Sequence, residues 1–183
     1  MLNDVKEKII DNDFVNIVRI NMIFNDAIKT MERLLMTLDD EIRKEISLLP
    51  EQPEIVDDWE HIADELSDSY SWAGSKIDWS KTSAHRSLEL HGDYKDWLVD
   101  IKKFIHETDV HDVISNSDEI YYINDSSLDF SVRLNPAQFF LFFDVAIENI
   151  PQHHYFFDRE NKWCLVISAE GYIDFGFSCL DKK

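Results

Sequence analysis

From Glu119 to Phe177 the chain breaks into short runs of alternating apolar and polar side chains, separated by only a few turn-forming residues. No other feature restricts its fold as strongly, because strands joined by such short links pair antiparallel with their neighbours. Glu119-Ile120-Tyr121-Tyr122-Ile123 and Leu128-Asp129-Phe130-Ser131-Val132-Arg133 read as a hairpin about Asn124-Asp125-Ser126-Ser127. Asn135-Pro136 then supplies a helix cap followed by proline at the first helical position, starting a helix over 136–148. Three further strands are expected at His154–Phe157, Lys162–Ser168 and Tyr172–Phe177, linked by Asp158-Arg159-Glu160-Asn161 and Ala169-Glu170-Gly171. Trp163, Leu165 and Ile167 share one face of the second, and Ile173, Phe175 and Phe177 one face of the third. The expectation is an antiparallel sheet of about five strands carrying one inserted helix.

The preceding residues read as mainly helical. Asn12 or Asp13 can cap a helix from Phe14, and apolar residues from Ile17 to Ile42 recur at near-helical spacing. This gives one long helix, or two with a bend near Leu38-Asp39-Asp40, ended by Pro50 and Pro53. A second helix is expected over 54–68, with Ile55, Trp59, Ile62 and Leu66 on one stripe. Residues 70–93 read as an irregular connection, and a third helix begins near Asp93 with Tyr94, Trp97, Leu98, Ile101, Phe104 and Ile105 as its apolar face. The fold class is α+β. A helical part, 1–110, packs with a sheet part, 111–183, as one compact unit.

Charge is distributed unevenly along this plan. The 183 residues carry 37 acidic and 18 basic side chains, a net charge of −19. Residues 51–100 hold 13 acids against 4 bases, and residues 101–150 hold 9 against 3. From Glu51 to Ser75 there are eight acids and no lysine or arginine, and between Lys103 and Arg133 seven acids with neither. A solvated helix usually interleaves both signs through i,i+4 pairs; the helix over 54–68 cannot. Such a field repels nucleic acid and anionic lipid and draws in cationic partners. Simple solubility is the alternative. If segments 51–75 and 104–132 meet in space, they form a one-signed surface. Its contact residues are Asp57, Asp58, Asp64, Glu65 and Asp68, together with Tyr70, Trp72 and Trp79, which follow directly and otherwise close the core.

Motifs for other chemistry are missing or misplaced. The four glycines make no phosphate-cradling loop, and Cys164 and Cys179 form no metal or disulfide framework, so both are expected as free thiols in a reducing compartment. His106 and His111 are five apart, about 140° around a helix, where a zinc helix needs four. His153-His154 adjoin a strand, where neighbours face opposite ways. No metal and no cofactor are expected. Ser83-Ala84-His85-Arg86-Ser87-Leu88-Glu89-Leu90-His91 brings Ser, His and Glu together without the positioned base and orienting group that nucleophilic catalysis requires. The N-terminal residues lack the features of a signal peptide, and no apolar run approaches the ~20 residues that span a bilayer, so a cytoplasmic protein without a membrane partner is expected.

Trp163-Cys164-Leu165-Val166-Ile167-Ser168 with Glu170-Gly171-Tyr172 resembles the closing strands of small bacterial proteins encoded beside polymorphic toxins. In size, acidity and α+β make-up the whole chain is similar to immunity proteins of contact-dependent growth inhibition systems. The resemblance implies a non-enzymatic inhibitor that masks a basic toxin domain, often a nuclease, by occupying its substrate cleft. No residue role is carried over from the family. Two other expectations stand beside it. One is a secretion-type chaperone, which predicts dimers with apolar grooves. The other is a small hydrolase using His85, His91 or His106 with nearby acids.

Overall fold

The structure, a computed structural model, describes residues 36–92, 94–125, 128–160 and 162–180. The chain divides into two compact units, Met1–Thr37 and Leu38–Lys183, and the second is described below. The helix expected from Phe14 lies outside the described residues as far as Leu35; its last part is described, as the helix Leu38–Leu48, which ends before Pro50.

Helix α1, Leu38–Leu48, opens the second unit with Asp39, Asp40 and Glu41 in its first turn, where carboxylates favour the helix dipole. Ile42 and Ile46 face inward. Strand β1, Glu54–Val56, follows Pro53, and helix α2 runs Glu60–Ser69. A small hairpin, β2 (Trp72–Ala73) with β3 (Lys76–Ile77), precedes a 3-10 turn at Trp79–Lys81 and strand β4, Ser83–Glu89. Helices α3, Tyr94–Glu107, and α4, Val110–Ser115, lead into β5, Ile120–Asn124, and β6, Ser131–Leu134. Helix α5, Pro136–Asn149, returns the chain to the meander β7 (His154–Asp158), β8 (Trp163–Ser168) and β9 (Tyr172–Phe177).

Among the described residues the main sheet has seven strands in the order β1-β6-β5-β7-β8-β9-β4, with every neighbouring pair antiparallel. The hairpin, the inserted helix and the meander lie where the sequence places them. The count of about five strands is corrected to seven, because β1 and β4 come from residues expected as helix and loop. Ile55 and Val56 begin the stretch expected as helix 54–68. There the β-branched pair lies extended beside β6, and the helix starts only at Glu60. Connection 70–93 likewise carries structure, the β2–β3 hairpin and the edge strand β4.

The inserted helix follows from topology. β6 and β7 flank β5 and are parallel to each other, so their link must cross the sheet, which a helix does. Asn135 caps it: its side chain accepts from Gln138 N at 3.0 Å, and Asn135 N donates in turn to Gln138 Oε1 at 2.9 Å. Phe139, Phe142 and Phe143 then lie fully buried, Phe139 meeting Phe156 of β7 edge to face.

The sheet is covered on both faces. Helices α1, α3, α4 and α5 share one hydrophobic cluster with Tyr122, Val132, Phe156, Leu165, Ile167, Ile173 and Phe175. On the other face Ile62 and Leu66 of α2, with Tyr70 and Ile77, pack on Ile123, Tyr155, Phe157, Cys164 and Val166. Strand β8 is therefore buried along its whole length, which explains its run Trp-Cys-Leu-Val-Ile. No helix among the described residues is long and apolar enough to cross a membrane.

Candidate functional site

Directly opposite residues in antiparallel strands project to one face. On the face that carries α2, the register aligns Glu54, Arg133, Tyr121, Phe157, Cys164 and Gly176 in one row. The next row is Ile123, Tyr155, Val166, Asp174 and Ser87. Helix α2 lies over the apolar middle of these rows, leaving polar groups at both margins and its own outer surface toward solvent.

That outer surface has one sign. Glu60, Asp64, Glu65 and Asp68 are exposed along α2, with Asp58 just before it, and none makes an ion pair among the described residues. Basic side chains elsewhere are mostly occupied. Arg43 holds Asp57, Lys76 holds Glu170, Arg86 meets Asp109, Lys102 holds Asp144, Arg133 bridges Glu54 and Glu119, Arg159 meets Glu119, and Lys162 holds Glu160. The helix bears a local cost for this arrangement. Glu60, Asp64 and Asp68 are spaced i,i+4, so each adjacent pair destabilises it by roughly 0.2–0.5 kcal/mol, and its last turn has no base to meet the dipole. Burial of Ile62 and Leu66, worth about 1.5–3 kcal/mol each, more than offsets that repulsion.

Segments 51–75 and 104–132 do meet: β1 pairs with β6, and α2 shares a cluster with Ile123 of β5. Their seam is not one-signed. Glu119 accepts from Tyr121 Oη at 3.2 Å and lies 3.6 Å from Arg133 Nη1 and 3.4 Å from Arg159 Nη1. Burial, with Glu119 beside it, pushes the Tyr121 hydroxyl up from its ordinary range. A hollow here is lined by His61, Glu65, Tyr121, Phe157 and Arg159 over Ile62, so charges of both signs face it. The single-signed surface is the back of α2, not the line where the two acidic segments touch.

Among the residues expected at the contact, Asp58, Asp64, Glu65 and Asp68 stand exposed together, while Asp57 is exposed but tied to Arg43. Tyr70 is only 4% exposed and belongs to the second cluster; its hydroxyl points at Gly176 O, 3.4 Å away. Trp72 is half-buried against that cluster and donates Nε1 to Ser67 O at 2.9 Å. Trp79, also half-buried, stacks on His85 at 5.3 Å. Trp72 therefore borders the acidic face near the end of α2, and Trp79 closes the sheet toward β4.

The histidines are placed separately. His85 Nε2 lies 2.8 Å from Asp174 Oδ1 with Trp79 against its ring, a carboxylate-oriented imidazole with no hydroxyl or thiol bonded to it among the described residues. His106, at the end of α3, and His111, on α4, come within 4.9 Å ring to ring and stack on Phe140. Their meeting depends on the break between the two helices, which spacing on one continuous helix does not reveal. His153 lies near Asp125 and Glu170, while His154 is fully buried. No group of three or more His, Cys, Asp or Glu among the described residues is arranged to hold a metal. Cys164 is buried and Cys179 exposed, both as free thiols. No protein-family model matches the chain, and no curated protein matches it.

Proposed function

We propose that the chain is an acidic inhibitor of immunity type, which binds a basic protein partner through the back of α2. The partner is a toxin domain with nuclease activity, and binding masks its cationic substrate cleft. What carries this reading is the run Asp58, Glu60, Asp64, Glu65 and Asp68, exposed and without ion pairs among the described residues, on a helix that these charges weaken. Sequences that keep a local conflict of this kind usually do so at functional sites. Carboxylates so placed meet arginine and lysine in strong, charge-assisted contacts, and the field around them speeds capture. Trp72, bordering the helix, adds the aromatic contact that slows release.

The reading frame adjoining this chain's should end in a basic domain, and that domain is the partner for the test; an adjoining frame without one would count against the reading. Its association rate with this chain, measured by stopped flow from about 0.05 to 0.5 M NaCl, should fall steeply, since exposed charges are screened over that range. Replacing Asp58, Asp64 and Asp68 by Asn should remove most of the salt dependence. An association rate indifferent to salt would overturn the role of the acidic face. No association at all would overturn the inhibitor reading for that domain.

A further inference from the structure

We propose that two copies of the chain pair edge to edge through β4, with a two-fold axis passing beside Leu88. Among the described residues strand β4 is the longest in the sheet, ends it on one side, and has all seven residues exposed. A bare edge of this length offers unpaired N–H and C=O groups to another strand. The opposite edge, β1, offers three residues only.

Half of β4 is closed to such pairing. The register with β9 shifts between Ser83 and Arg86, Ala84 takes a positive φ of 50°, and Arg86 Nη1 donates to the carbonyls of Ala84 and His85 at 3.2 and 3.3 Å. A bulge and a charged side chain folded over the backbone are the usual means of blunting an edge. Past Arg86 nothing comparable intervenes among the described residues. Leu90 N donates to Gly171 O at 2.7 Å, and Leu88 and Arg86 stand opposite Ile173 and Phe175. By the alternation of an antiparallel ladder, residues 86, 88 and 90 turn their backbone groups toward β9, while Ser87 and Glu89 turn theirs outward.

A second β4 can join only if outward groups face outward groups. Setting Ser87 opposite Glu89 of the other copy satisfies this on both sides of the axis and places Leu88 against its own copy in a close, non-hydrogen-bonded pair. Leu88 is 38% exposed in the single chain, on the face where the register aligns it with Ile173. Sliding the register one way opposes Glu89 to Glu89, a like-charge pair that destabilises. Sliding it the other way draws the Arg86-capped bulge into the ladder. One register remains, and its two-fold closes after two copies.

The contact is small beside the ~1,200–2,000 Å² of a standard interface, and each copy carries −19. Association is therefore weak, and salt strengthens it by screening, the opposite of the salt response of the acidic face. Sedimentation equilibrium of the full chain across protein and NaCl concentration should show a species of twice 21.6 kDa that grows with both. A mass that stays at 21.6 kDa at the highest protein and salt concentrations overturns the proposal. Two variants locate the contact. Leu88→Glu sets like charges on the axis, and Ser87→Pro removes an outward N–H that has no acceptor among the described residues. Each should weaken the dimer at least tenfold with an unchanged circular dichroism spectrum; if either fails to fold, the other decides. Folded variants that dimerise like the parent chain would place the contact elsewhere and defeat the assignment.

Discussion

Tyr122 of β5 and His154 of β7 are diagonal neighbours on one face of the sheet, with the tyrosine hydroxyl 3.0 Å from His154 Nδ1 and both side chains buried on the face that carries α5. Phe142 and Phe156 close over the tyrosine ring at 5.0 and 4.8 Å. Burial, with His153 adjacent, holds the His154 imidazole down to about 3, so it stays neutral in the folded protein.

The unfolded chain takes up a proton on this residue near pH 6.5, whereas the folded chain refuses it until pH approaches 3. Stability is therefore complete above 6.5 and is lost as pH falls toward 3, by up to about 1.4 kcal/mol per pH unit. Glu170, held low mainly by the Lys76 ammonium, and Asp78, held low mainly by the Ser80 hydroxyl, add losses only at or below the ordinary carboxylate range. Urea unfolding between pH 4.5 and 6.5 thus isolates the histidine. His154→Phe should flatten the slope there, whatever it does to stability at pH 7. A slope identical to the parent's would show that His154 takes up its proton alike in both states.

The meander and the capped helix α5 were legible because their signals are local: two-residue periodicity, short turns, and Asn135-Pro136 with Gln138. Strands β1 and β4 were not. Three residues of β1 show no period, and its pairing with β6 spans more than seventy positions. β4 is exposed on every residue, so it lacks the alternation that marks a half-buried strand. The acidic run of α2 was plain in the sequence. That Asp57 would be taken by Arg43 and Tyr70 by the core depends on contacts across the fold, and composition carries no record of them.

Asp64 sits midway between Glu60 and Asp68 on α2, one turn from each. Asp64→Lys replaces two repulsive i,i+4 relations by two attractive ones and should stabilise the protein by roughly 0.8–2 kcal/mol. If the acidic helix is a docking face, the same variant slows association with the basic partner. Denaturant unfolding and stopped-flow association on one preparation test both halves. A gain in stability with unchanged association would mean that α2 is simply a solvated helix.

Gly171 closes the β8–β9 turn with φ of +86°, and a β-carbon there would lie 3.2 Å from Leu90 O and 3.3 Å from the Trp97 ring. Gly171→Ala combines left-handed strain of about 1–2 kcal/mol with displacement of a core tryptophan. Gly74, in the β2–β3 turn, has φ of +68° but open space around it, so Gly74→Ala costs the strain alone. Thermal melting should rank the parent first, Gly74→Ala next and Gly171→Ala last. Equal losses for the two variants would show that the Trp97 contact yields without cost.

Tyr70 and Trp72 are two residues apart yet differently placed, and partner binding should separate them. Burial pushes the Tyr70 hydroxyl far above its ordinary range, and its bond to Gly176 O is long at 3.4 Å, so Tyr70→Phe removes little and should leave both folding and partner release unchanged. Trp72 keeps one edge in solvent beside the acidic turn while its ring lies 6.5 Å from Tyr155. Truncating an aromatic at the centre of a contact costs about 2 kcal/mol or more and acts mainly on release. Trp72→Ala should therefore speed dissociation of the basic partner at least tenfold, with Trp72→Phe in between, while the association rate set by the carboxylates stays near its parent value. If Tyr70→Phe and Trp72→Ala release the partner at the same rate, the contact lies away from this end of α2.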